Sequence, residues 1–113
     1  MSGRSLAVVH VARYFKQLIT KQFVTNQSVR GYADQLGVTV NHLSKTVKAT
    51  TGFTPGQLIR REIVLEAKRL FQHTVLTATE IGYRLAFDDP SYFGRFFKRE
   101  VGVSPGQFRQ ALS

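Results

Sequence analysis

Apolar residues return along this chain every three or four positions rather than every second one. Val8, Ala12, Phe15, Ile19 and Phe23 form one such stripe, which predicts a first helix over about 5–23. No stretch sustains an apolar–polar alternation, and no Asn-Gly or Asp-Gly pair offers a hairpin turn, so strands are not expected. The polar residues between the stripes are of the kinds that start and stop helices. Ser28 is placed to cap a short helix that stops at Gly37, and Thr39 to cap the next, which runs to about Thr50 and ends at Gly52. Thr54-Pro55, Asp89-Pro90 and Ser104-Pro105 each set a capping side chain before a proline suited to the first helical turn. They open a long helix to about Phe71, a helix to about Val101 and a short last helix. Thr77 and Glu80 have capping-box spacing, for a helix ending near Leu85. The fold class is therefore all-α, with about seven helices and no linker long or polar enough to divide the chain.

Part of this pattern occurs twice. Residues 43–57 recur at 93–107, with Lys48/Lys98, Gly52/Gly102, Pro55/Pro105, Gly56/Gly106 and Gln57/Gln107 identical and Leu43/Phe93, Lys45/Arg95, Val47/Phe97 and Thr54/Ser104 alike in chemistry. Upstream the match continues at an offset of forty-nine, pairing Ser28 with Thr77, Ala33 with Gly82, Leu36 with Leu85 and Val38 with Phe87, so the second copy has one extra residue in its turn. Fixed-period similarity means that one supersecondary unit is used twice. Each copy has a small residue where two helices approach (Ala33, Gly82) and later apolar anchors (Val38, Leu43 and Val47; Phe87, Phe93 and Phe97); the first also has a turn glycine, Gly37, with the positive φ that glycine allows. That order reads as a helix-turn-helix. The expected layout is a first helix-turn-helix over about 28–51, a linking helix over about 55–72 and a second helix-turn-helix over about 77–101.

Charge gives the repeat a partner. Sixteen Lys/Arg against seven Asp/Glu leave a formal +9, which attracts a polyanion, either nucleic acid or an anionic membrane surface. No apolar run approaches the ~20 residues that span a bilayer, and the N-terminal apolar stretch meets Arg13 without a small-residue cleavage site. The first helix, with Arg13, Lys16 and Lys21, could lie on a membrane, but its apolar face is needed for a small core. Absence of cysteine removes disulfides, thiolate metal sites and cysteine nucleophiles, and fits a reducing cytoplasm.

Other chemistry is weak. His10, His42 and His73 lack metal-ligand spacing, and no Walker loop, serine elbow or dinucleotide turn is present, so no cofactor or metal is expected. Asp88 and Asp89, beside Pro90, fit capping and helix-dipole roles better than an acid pair. The Arg-Phe-Phe-Lys-Arg run at 95–99 looks like basic residues mixed with stacking aromatics. Helical spacing instead turns Phe93, Phe96 and Phe97 toward the core.

These residues resemble a known family. The run Ala86-Phe87-Asp88-Asp89-Pro90-Ser91-Tyr92-Phe93-Gly94-Arg95-Phe96-Phe97-Lys98-Arg99, followed by Gly102, Ser104-Pro105 and Phe108-Arg109, is similar to the DNA-binding domain of AraC-type transcription regulators. The likeness is close over about 28–109 and positional only in the first helix. One departure is Ala86, where the family often has glycine, as Gly37 does in the first copy; a small residue fits there. The resemblance implies two helix-turn-helix units joined by a long helix, acting on double-stranded DNA.

It further implies that Asn41, Ser44 and Lys45, then Ser91, Tyr92 and Arg95, read bases. Helical geometry agrees, with Asn41, Ser44, Lys45 and Lys48 on one face and Leu43 and Val47 on the other. Asn pairs bidentately with adenine and Arg with guanine, each worth ~1–3 kcal/mol of discrimination. Thr39, Lys48, Lys98 and Arg99 are the expected phosphate contacts. Tyr92 has a second role open to it, packing at the rim of the core, and His42 falls between the packed and exposed faces, where a structural role is expected.

The linking helix would be ~25 Å long at ~1.5 Å per residue, enough to hold two recognition helices near the ~34 Å repeat of the major groove. One chain would then read two adjacent groove segments as an asymmetric site. The resulting expectation is a sequence-specific transcription regulator, an activator by resemblance, monomeric in this segment, contacting RNA polymerase in the bacterial nucleoid. Such regulators usually carry a separate sensing domain ahead of this one, so the chain is expected to be a stand-alone regulator or a portion of a longer one. The competing reading is a non-specific architectural nucleic-acid binder. An enzyme is disfavoured, since no cysteine or catalytic carboxylate cluster is available.

Overall fold

A computed structural model describes the backbone of residues 2–113 and the side chains of residues 10–113. Among the described residues there are seven helices and no strand: α1 (Ser2–Gln22), α2 (Val29–Leu36), α3 (Val40–Thr51), α4 (Pro55–His73), α5 (Ala78–Arg84), α6 (Pro90–Val101) and α7 (Pro105–Ala111). Each start after that of α1 has a reason in the sequence. Ser28 Oγ accepts the Gly31 N–H, Thr39 Oγ1 accepts that of His42 at 3.0 Å, and Asp89 Oδ1 accepts that of Ser91 at 2.9 Å. Thr77 and Glu80 form the expected capping box. Two more boxes are built from the repeated Thr/Ser-Pro-Gly-Gln sequence. Gln57 and Gln107 reach back to the Thr54 and Ser104 amides at 2.8 and 2.9 Å, which explains why glutamine recurs in both copies.

The chain forms two compact units, Met1–Glu62 and Ile63–Ser113. In the first, Ala12, Phe15 and Ile19 of α1 pack with Tyr32 and Ala33 of α2, Leu43 and Val47 of α3, and Leu58 and Ile59 of α4. Val8 of the predicted stripe lies outside the residues whose side chains are described, and Phe23, past the end of α1, is half-buried. Phe15 meets Tyr32 edge-on with ring centres 5.4 Å apart, and the Tyr32 hydroxyl donates to the Asn26 carbonyl. Burial raises the Tyr32 phenol above its ordinary pKa.

The second unit has an aromatic core. Phe93 and Phe97 are buried with Ile63, Ala67, Leu70 and Phe71 of α4 and with Ile81 and Leu85. Phe71 stacks beside Phe93 and meets Phe97 and Phe108 edge-on, with centres 5.3–6.4 Å apart. Behind this cluster the Arg109 guanidinium donates to the carbonyls of Phe71, Thr74 and Leu76 and lies 5.0 Å above the Phe71 ring. It satisfies the Phe71 carbonyl in the last turn of α4 and two carbonyls of the loop that follows. No helix of the described residues is long and apolar enough to cross a membrane.

Candidate nucleic-acid interface

The turn inside each helix pair is the same motif. In the first, the Val38 N–H donates to the Ala33 carbonyl at 3.0 Å and the Gly37 N–H to Asp34 at 3.2 Å. In the second, Phe87 donates to Gly82 at 2.9 Å and Ala86 to Tyr83 at 3.0 Å. This six-to-one and five-to-two pairing is a Schellman turn, whose penultimate residue must be left-handed. Gly37 has φ +69° and Ala86 φ +70°. Position 86 is thus constrained by conformation rather than by size. Alanine fills the space but sits where a Cβ is disfavoured by about 1–2 kcal/mol. The extra residue of the second copy falls after this turn, at Asp88, and the caps Thr39 and Asp89 return to the fifty-residue offset.

Close packing then seats the recognition helix. A Cβ built on Gly82 would lie 3.1 Å from Cβ and Cγ of Phe93, nearer than such contacts normally are. Glycine at 82 therefore matches phenylalanine at 93, whereas Ala33 in the first copy is matched by Leu43.

Along 41–48 and 91–98 the order of exposed and buried residues is identical. Leu43, Thr46 and Val47 are buried in α3, and Phe93, Phe96 and Phe97 in α6. Asn41, Lys45 and Lys48 are exposed and Ser44 half-buried; Ser91, Tyr92, Arg95 and Lys98 are exposed, with Gly94 at the position of Ser44. All six expected base readers are thus brought to the open side of their helices. His42 corrects its sequence reading. It is exposed, at the position that Tyr92 occupies in α6, while its amide donates to the Thr39 cap. Comparing the two copies position by position would have found it.

The side chains differ in how far they are already committed. The Arg95 guanidinium lies 6.0 Å over the Tyr92 ring, a cation–π distance that couples two expected readers. Tyr92 is 49% exposed, yet its ring centre is 5.8 Å from that of Phe87, so it touches the core rim while leaving an edge in solvent. Among the expected phosphate contacts, exposed Thr39 still has its hydroxyl proton to donate, because its oxygen only accepts within the cap. Lys48 reaches the Gly52 carbonyl at 3.0 Å, keeping its full charge at the end of α3. Arg99 pairs with Glu100 at 3.3 Å and lies 5.7 Å over Phe96. Lys98 is exposed. No group of three or more His, Cys, Asp or Glu able to hold a metal occurs among the described residues.

Two helix pairs, each with a capped second helix that buries one face and opens a polar one, define the class as a tandem helix-turn-helix protein. A helix-turn-helix domain family model matches residues 32–111. The HTH-type transcriptional activator RhaS of Escherichia coli (O1:K1 / APEC) is 35% identical over 78 residues, which are 69% of this chain and 28% of that protein. The C-terminal domain of AraT, a response regulator from Geobacillus stearothermophilus, superposes with a TM-score of 0.84 at 30% identity, over 89% of this chain and 84% of that one. The DNA-binding domain of the transcriptional factor AdpA, solved in complex with a target DNA, shares the fold with a TM-score of 0.72 at 24% identity, over 92% and 90% of the two chains. The chain belongs to the AraC-type helix-turn-helix family of DNA-binding transcription regulators. That family is not one of enzymes. The chain spans little more than a quarter of the length of the curated relatives it matches.

Proposed function

We propose that this chain carries the DNA-binding function of a transcription activator and inserts α3 and α6 into adjacent major-groove segments of an asymmetric site. The observation that carries the reading is the identical sequence of buried and exposed positions on the two helices, which gives each a polar edge to present to base pairs. Asn41, Ser44, Lys45 and His42 would read one segment and Ser91, Tyr92 and Arg95 the other. Thr39, Lys48, Lys98 and Arg99 would fix the register on the phosphates. The name of the relative RhaS supports activation, and hence contact with RNA polymerase. One copy of this segment would suffice for one site, and the working compartment would be the bacterial nucleoid.

Selection of bound sequences from a random duplex pool, followed by footprinting on the winner, tests this. The expected result is two protected segments about 10 bp apart and a preference of ~10³ or more over random competitor. Protection of a single segment would remove α6 from the groove. A preference near unity would leave an architectural binder instead.

A further inference from the structure

We propose that the two units grip DNA unequally: the first, besides reading its own segment, supplies most of the affinity for duplex of any sequence, and the second, almost neutral, contributes mainly through base readout. This rests on the DNA-binding reading above and concerns how the work is divided. Met1–Glu62 carries nine Lys/Arg against two Asp/Glu, a formal +7, whereas Ile63–Ser113 carries seven against five, a formal +2. The difference is sharper at the recognition helices. Residues 38–51 hold Lys45 and Lys48 and no acid, while the matching residues 88–101 hold three acids and three bases.

Local geometry reinforces the count. In the second unit Arg69 is bidentate to Glu66 at 2.5 and 3.0 Å, and Arg99 pairs with Glu100 at 3.3 Å. A carboxylate cancels the field of its partner, whereas the neutral Gly52 carbonyl beside Lys48 leaves that charge whole. At the helix entrances the contrast is between neutral and negative. Val38 and Thr39 lead into α3, and exposed Asp88 and Asp89 into α6, where a carboxylate can only accept hydrogen bonds and repels phosphate. Phosphate neutralisation supplies nearly all sequence-independent affinity, so that affinity must come mainly from the first unit. Arg95 and Tyr92, held together on α6, remain suited to reading a base, and the Asp88 carboxylate to accepting from a cytosine amino group.

The test measures binding of the full chain to a random-sequence duplex several helical turns long, by fluorescence anisotropy across about 50–200 mM NaCl. Compared are the parent, K45Q/K48Q, K98Q/R99Q and D88N, each checked for retained helicity by circular dichroism. On random duplex, where Lys45 has no cognate base to read and its charge adds to that of Lys48, K45Q/K48Q is expected to flatten the log–log salt slope by about 2 and to weaken binding more than about tenfold near 100 mM salt. K98Q/R99Q is expected to flatten it by about 1 or less, because Glu100 already offsets Arg99. D88N is expected to tighten binding a few-fold. Equal slope losses for the two double variants, a larger loss for K98Q/R99Q, or weaker binding by D88N overturns the division while leaving DNA binding intact. A parent slope near zero overturns DNA binding itself, and the division with it.

Discussion

Ala86 shows how a single position can be right in size and wrong in shape. It carries φ +70° within a Schellman turn whose counterpart is Gly37 at φ +69°. Ala86→Gly is therefore expected to stabilise the protein by about 1 kcal/mol, the relief of left-handed strain less the extra freedom glycine has when unfolded. Urea unfolding checks it, and an unchanged or lower midpoint would mean the strain is absent. At the proposed reading face, Arg95→Ala should cost about 1–3 kcal/mol on the selected site and relax preference at one base pair. Competition binding with single-base site variants measures both. The sequence could indicate these positions because each has a polar or small residue at a fixed place in the repeat. It could not indicate the φ of Ala86, which the two turn hydrogen bonds set, nor the openness of His42, which a helical wheel puts on the border between faces.

Beyond α1, which begins at Ser2 rather than near residue 5, helix starts were legible almost to the residue, because Ser28, Thr39, Thr77, Asp89 and Ser104 satisfy amides that would otherwise have no partner. The Thr77 amide, and then its hydroxyl, hold Glu80 below the usual carboxylate range. A group whose folded pKa is depressed contributes stability above its unfolded value, about 4.3, and loses it as pH falls through the lower folded one. Glu80→Gln keeps an oxygen for the Thr77 amide but removes that titration. The stability difference between parent and variant should thus be greatest near neutrality and shrink on acidification below about pH 4; thermal melts across that range would reveal a constant gap if the charge is irrelevant. Packing between elements gives a steeper test. Gly82→Val would drive a branched side chain into Phe93, and about 2 kcal/mol or more should be lost. A calorimetric melt no lower than the parent's would show that α5 and α6 can move apart freely.

At the scale of the molecule, the fold class and both helix-turn-helix pairs could be read from the chain because apolar spacing and caps are local features. The division into two compact units could not, since α4 (Pro55–His73) is continuous in sequence pattern across their boundary. The uneven charge of the halves was present in the composition all along, but acquired meaning only once that boundary was drawn. Arg109 escaped for a related reason. Its partners are main-chain oxygens more than thirty residues upstream, and no side-chain pattern marks an acceptor of that kind. The consequence is that the final turn of helix fastens a seam in mid-chain, where Val75 stands almost wholly in solvent. Shortening the protein to Phe108, or substituting Arg109 by alanine, should expose residues 71–76 to thermolysin while the parent resists under the same digestion. Equal cutting of both would mean the seam holds without its fastener, and the tail could then be trimmed without harm.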